Sequence, residues 1–280
     1  MNGATSAVST AYKKVIISGN VIEVYEYEKA PYQVWDKQDR HESDIEWINE
    51  LEEQAELKLK EEQQAKSLQD IGCLSEEWRE VVLLSGRYSS SITRTRNMVR
   101  RLILSNFDNG SKFVTFTFDD KKVPPEINTD VQASNKFWHA FIKRMRRKYG
   151  NFKYIVVIEF QKRGAVHYHM LSDLPYVKAK TLEEIWGNGF IKINRITHVD
   201  NVGAYVIKYM TKDLTDIRLY KNKAYSCSKG LERPTILRGE LAEQIVLIYD
   251  FAQKKEVFTS SYTSEYLGKV IYREYNLKRL

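Results

Sequence analysis

The sequence predicts an α+β fold, on three observations. Short runs rich in β-branched and aromatic residues occur in pairs around turn-forming triplets, at 13–28 and 154–171. Segments with apolar residues at three- and four-residue steps, the helical period, lie between and beyond them. No stretch repeats at a period of about 20–50 residues, which sets solenoids and propellers aside.

KKVIISGNVIEVYEYE (13–28) reads as two strands turning at Ser18-Gly19-Asn20. Glu, Gln, Lys, Leu and Ala then dominate residues 43–68. Ile45, Ile48, Leu51, Ala55 and Leu59 draw a narrow apolar stripe there, the mark of a helix that docks on the body or pairs with a second copy. The segment 87–101 carries Arg87, Arg94, Arg96, Arg100 and Arg101 and no acid. FVTFTF (113–118) has strand composition, and the turn-prone DDKKVPPEINTD comes next. Residues 135–149 predict an amphipathic helix with Phe137, Trp138, Phe141, Ile142, Met145 and Tyr149 on one side. Lys136, Lys143, Arg144, Arg146, Arg147 and Lys148 fill the remainder, and no Asp or Glu occurs from Val131 through Ile158.

YIVVIEFQ (154–161) and AVHYHML (165–171) are strands around Lys162-Arg163-Gly164. Residues 185–193 end in a strand, and a helix over 202–213 takes Asp200 as its N-cap. A helix at 239–250 and strands at 256–262 and 266–274 complete the chain. The organisation expected is an N-terminal hairpin and acidic helical extension over 1–75, a main domain over 76–235, and a C-terminal helix with strands over 236–280.

Composition narrows the class. With 42% hydrophobic and 29% charged residues, the 280-residue chain can bury a core. No run approaches the roughly 18 apolar residues of a membrane span, and the first residues hold no hydrophobic signal segment. Cys73 and Cys227 are too few for a disulfide framework and lack zinc-site spacing, so a cytoplasmic protein is expected. The net charge is +7, yet His41–Lys66 holds nine acids against three lysines, leaving +13 for the rest. A basic body points to a polyanionic partner.

Two constellations carry chemistry. In a strand His167 and His169 project to the same face, and two adjacent imidazoles can chelate a divalent metal, particularly with a carboxylate opposite. A three-residue hairpin loop ending at Gly164 places Glu159 directly across from His167; a two-residue loop turns it away. The second constellation is Tyr205, Lys208, Tyr209 and Lys212, which share one helical arc of about 100° while Val206, Ile207, Met210 and Leu214 take the opposing arc. A tyrosine hydroxyl is a poor nucleophile at neutral pH, and an adjacent ammonium favours its phenolate. A solvated amphipathic face is the plain alternative. His139 and His198 have no companions and read as structural or surface residues.

FVTFTF, RGAVHYHML and YVIKYMTK, in that order, resemble the rolling-circle replication initiators of the HUH endonuclease superfamily. The overlapping Tyr205-x-x-Lys208 and Tyr209-x-x-Lys212 are similar to the two-tyrosine branch, and the combined pattern resembles initiators of Gram-positive mobile elements, plasmid or phage. The likeness runs from about Arg87 to Pro234; Tyr168 departs from it by filling the hydrophobic position of the His pair, on the face away from the metal.

The resemblance implies a central antiparallel sheet with flanking helices, a split βαβ variant. His167, His169 and the nearby Glu159 would hold Mg²⁺ or Mn²⁺, and Tyr205 or Tyr209 would nick single-stranded DNA at an origin. The products are a 5′-phosphotyrosine and a free 3′-hydroxyl that primes replication, with a host or element helicase as partner. Arg94, Arg96, Lys143, Arg144, Arg146 and Arg147 fit as the DNA track, since phosphate contacts dominate affinity. Tyr149 and Trp186 are candidates to stack on bases, while Trp138 reads as core. A transposase or relaxase sharing the HUH site, or a non-catalytic single-strand binder, are the competing readings.

Overall fold

The computed structural model describes residues 12–30, 93–124, 127, 130–161, 164–197, 199, 201–211, 223–249, 251, 256–264 and 266–279. The helix expected at 43–68, along with Cys73, Arg87, Lys162, Arg163, His198, Asp200 and Lys212, lies outside the described residues. In chain order the elements are β1 (Tyr12–Ser18), β2 (Val21–Tyr27), α1 (residues 93–106), β3 (Lys112–Phe118), α2 (Val131–Tyr149), β4 (Tyr154–Phe160) and β5 (Val166–Ser172). They continue with α3 (Ala179–Trp186), β6 (Gly189–Asn194), α4 (Val202–Thr211), β7 (Tyr225–Cys227), β8 (Thr235–Arg238), α5 (Gly239–Ile248), β9 (Phe258–Ser264) and β10 (Gly268–Asn276). The chain is α+β, built on two antiparallel five-stranded sheets that belong to two units, residues 95–233 and the two flanking segments together. Among the described residues no helix is long and apolar enough to cross a membrane.

In the central unit the strand order is β6-β3-β5-β4-β7. The crossover β3–α2–β4 straddles β5, and β5–α3–β6 straddles β3, so both are split βαβ units. Helices α2 and α3 cover one face. There Trp138, Phe141 and Trp186 pack around Phe116, with ring centroids 4.9–5.4 Å from it. Trp138 is fully buried, as its place in the apolar stripe predicts. Helix α2 begins at Val131, four residues before the expected start, because the Asp130 carboxylate accepts from the Gln132 and Ala133 amides. Gly150, at φ 78°, ends it.

Helix α3 is absent from the elements expected on sequence. Its eight residues have no capping side chain at the N-terminus, and its last carbonyls depend on a distant residue: Arg144 of α2 donates to Ile185 O (3.0 Å) and Trp186 O (3.1 Å).

In the other unit β8-β1-β2-β10-β9 form the sheet. The β1–β2 hairpin turns at Gly19-Asn20 with Gly19 at φ 56°, as the triplet predicts. Helix α5 lays Ala242, Ile245 and Val246 on Val15, Ile22, Val24, Phe251 and Tyr275. The N-terminal hairpin and the C-terminal strands, read in sequence as separate segments, thus share one sheet.

Candidate active site

The β4–β5 hairpin decides the site. Gly164, at φ 90°, donates its amide to Gln161 O, and the Gln161 amide donates to Ala165 O. That three-residue loop sets Glu159 opposite His167, as one of the two loop lengths requires. His167 and His169 share a face with Glu159, and one ligand atom from each lies within 4.8 Å of the others. Tyr168, between them, points to the far face, where it stacks on Trp138 at 4.9 Å and donates to Asn135.

The directly paired residues of β3 on this face are threonines. Thr115 Oγ1 lies 3.0 Å from His169 Nδ1, and Thr117 Oγ1 lies 3.2 Å from His167 Nε2. Asn194, at the end of β6, donates to Thr115 Oγ1 over 3.3 Å. His169 is buried and turns its Nε2 to Glu159 Oε2, 2.5 Å away. A ligating imidazole needs its second nitrogen held by a partner, and each of these has one. Two imidazole nitrogens and a carboxylate oxygen fit a divalent cation that accepts mixed nitrogen and oxygen donors, Mn²⁺ better than Mg²⁺. Sequence reasoning missed the threonines and Asn194; the signal for the threonines was the alternation Phe-Val-Thr-Phe-Thr-Phe, which sets Thr115 and Thr117 on one side of β3.

Helix α4 lies on the same face. Its cap is Asn201, whose side chain accepts from the Ala204 amide, rather than Asp200. Val206 is fully buried, as expected of the core arc. The tyrosine arc is not the solvated side: Tyr205 and Tyr209 lie 5.6 and 5.3 Å from Phe113, and the Tyr209 ring is 4.4 Å from His169. The two tyrosine rings are 5.9 Å apart, and Tyr209 donates to the Tyr205 hydroxyl over 3.3 Å. Lys208 Nζ sits 3.9 Å above the Tyr205 ring and 5.2 Å from that of Tyr209. Burial pushes the Tyr209 phenol well above its ordinary value, and the Tyr205 hydroxyl and Glu159 charge act the same way.

Gly203 lets α4 approach α1. A Cβ there would meet Arg100 O at 2.8 Å and Leu104 Cγ at 2.9 Å. The helix carrying the tyrosines is held between α1 and the sheet.

The basic residues expected to bind DNA are scattered. Arg94 is exposed and Arg96 half-buried on α1. Lys143, Arg144, Arg146 and Arg147 are exposed on α2, which packs against the face opposite His167 and His169. Arg144 is engaged with the end of α3. Trp186 is fully buried and donates to Thr117 O, so it offers no ring to a base. Tyr149 is half-buried and His139 exposed.

Residues 111–214 match the model of a family of replication-associated proteins, the ORF2 type. The matched span opens just before β3 and runs past α4, and it includes the Glu–His–His cluster, both threonines and both tyrosines. Searches of curated proteins and of solved structures returned no match. The family match supports a replication-associated protein that acts on DNA.

Proposed function

We propose that this chain initiates rolling-circle replication as an HUH-type endonuclease and strand transferase, nicking and rejoining single-stranded DNA through a 5′-phosphotyrosine. One observation carries the reading: two tyrosine hydroxyls 3.3 Å apart stand beside a Glu–His–His cluster, with the Tyr209 ring 4.4 Å from His169.

Glu159, His167 and His169 would hold the ion. A bound Mg²⁺ or Mn²⁺ supplies Lewis-acid polarisation of the scissile phosphate. The remaining work belongs to side chains of this protein. Thr115 and Thr117 fix the imidazoles. Tyr205 or Tyr209 attacks phosphorus, forming the P–O(Tyr) bond as the P–O3′ bond breaks, and the phenolic proton passes to the departing 3′ oxygen. Lys208, beside both rings, favours the phenolate and stabilises charge on the phosphoryl group, and Lys212 extends the same pattern by its spacing. The reverse reaction rejoins strands without an added cofactor. The free 3′-hydroxyl primes synthesis, and unwinding ahead of it calls for a helicase.

The test is incubation with single-stranded origin DNA and Mn²⁺, scored for a denaturant-resistant protein–DNA adduct. Adduct is expected with the wild type and absent with EDTA, His167→Ala or His169→Ala. DNA binding by these variants should stay within a few-fold, because phosphate contacts supply most affinity. Cleavage surviving EDTA would sink the proposal, and binding without adduct would leave a single-strand binder.

A further inference from the structure

We infer that the outer strand of the central sheet, through Phe190 and Lys192, is where single-stranded DNA lies as it approaches the tyrosines. This deepens the nicking reading and takes the identity of its occupant from it.

Strand β6 pairs with β3 alone, in a register that sets Phe190 beside Thr117 and Lys192 beside Thr115. Directly paired residues share a face. Two rows therefore cross the site side of the sheet: Phe190, Thr117, His167, Glu159, and Lys192, Thr115, His169. The Asn194–Thr115 hydrogen bond fixes the same face for β6.

An isolated exposed phenylalanine is ordinary. This one stands 56% exposed in a sheet whose Phe113, Phe116 and Phe118 are each at most 1% exposed. It also stands between cations. Lys122 Nζ lies 5.9 Å from its ring centroid, and Lys192 is exposed two residues further along the same face. An uncovered aromatic face with flanking ammonium groups is the chemistry that binds single strands without regard to sequence, by base stacking and phosphate contact.

Reach supports the placement. Phe190 is two strand spacings, about 10 Å, from the row position of His167, so a base stacked there leaves one or two nucleotides to span to the cluster. The exposed cations of α2 stand on the opposite face, and a strand held by them would have to pass round an edge of the sheet.

The experiment uses the full chain and single-stranded oligothymidylate. Phe190→Ala should weaken binding about tenfold. Phe190→Trp should keep the affinity, and the new indole should be quenched as DNA stacks on it. Lys192→Ala should lower the salt slope of binding by about one unit. Unchanged affinity in Phe190→Ala, or no quenching of Phe190→Trp at saturating DNA, overturns the inference. The wild-type adduct assay is scored apart: quenching without any adduct keeps the edge track and removes the nicking reading, and adduct without quenching does the reverse.

Discussion

At the scale of single residues, the paired tyrosines make the sharpest demand. Rolling-circle replication needs a second cleavage while the first 5′ end is still covalently held, and hydroxyls 3.3 Å apart can take turns at one phosphate. Tyr205→Phe and Tyr209→Phe should therefore each retain some adduct and lose strand transfer, while the double variant forms none. One single variant losing every adduct while the other runs the complete cycle would reduce the enzyme to one nucleophile. Thr115 is the second residue worth changing. Thr115→Ala removes the partner of His169 Nδ1 and should cost about 10- to 100-fold in Mn²⁺ affinity, with Thr115→Ser restoring it. Calorimetric titration with Mn²⁺ reads this without any turnover. The ligand cluster was legible in the sequence because strand alternation and a three-residue loop leave no freedom once the register is set. The threonines were not, because their role depends on which strand lies beside β5, and that pairing joins residues about 50 positions apart or more.

At the scale of elements, α4 is positioned by a missing side chain. Gly203→Ala places a methyl 2.8 Å from the Arg100 carbonyl, and backbone gives way less readily than a side-chain tip. It should destabilise the protein by about 1–3 kcal/mol and displace Tyr205, two residues along, from its seat against Phe113. A lowered thermal midpoint with adduct formation reduced more than DNA binding would report this. Helical periodicity correctly grouped Tyr205, Lys208 and Tyr209, yet could not tell that this arc meets a sheet. A helix packed on two sides keeps only a narrow solvated edge, here Ala204 and Lys208, too little for the pattern to display. Helix α3 escaped notice for a related reason: Arg144, 42 residues away, holds its end.

At the scale of the molecule, charge and chemistry lie on opposite sides of the central sheet. The cations of α2 then act through the long-range field rather than by gripping the strand at the site. Neutralising Lys143, Arg146 and Arg147 together should slow association with DNA at low salt and leave dissociation nearly unchanged, which stopped-flow binding separates. Composition revealed that a polyanion was the partner; only the packing of Trp138 on Tyr168 revealed which side the helix was on. The second sheet has its own consequence, one that belongs to synthesis. Strand β1 lies between β2 and β8, and β2 between β1 and β10, so the first strands translated take their outer neighbours from the last ones. At about 5–20 residues per second, the N-terminal hairpin waits on the order of ten seconds or more for Thr235 and the strands beyond it. A lone two-stranded hairpin is marginal in water. The residues around the tyrosines thus acquire all of their strands, β3 to β7, before the hairpin acquires β8 and β10. A nascent chain halted after Arg233 should resist protease across 112–211 and be cut within 12–27.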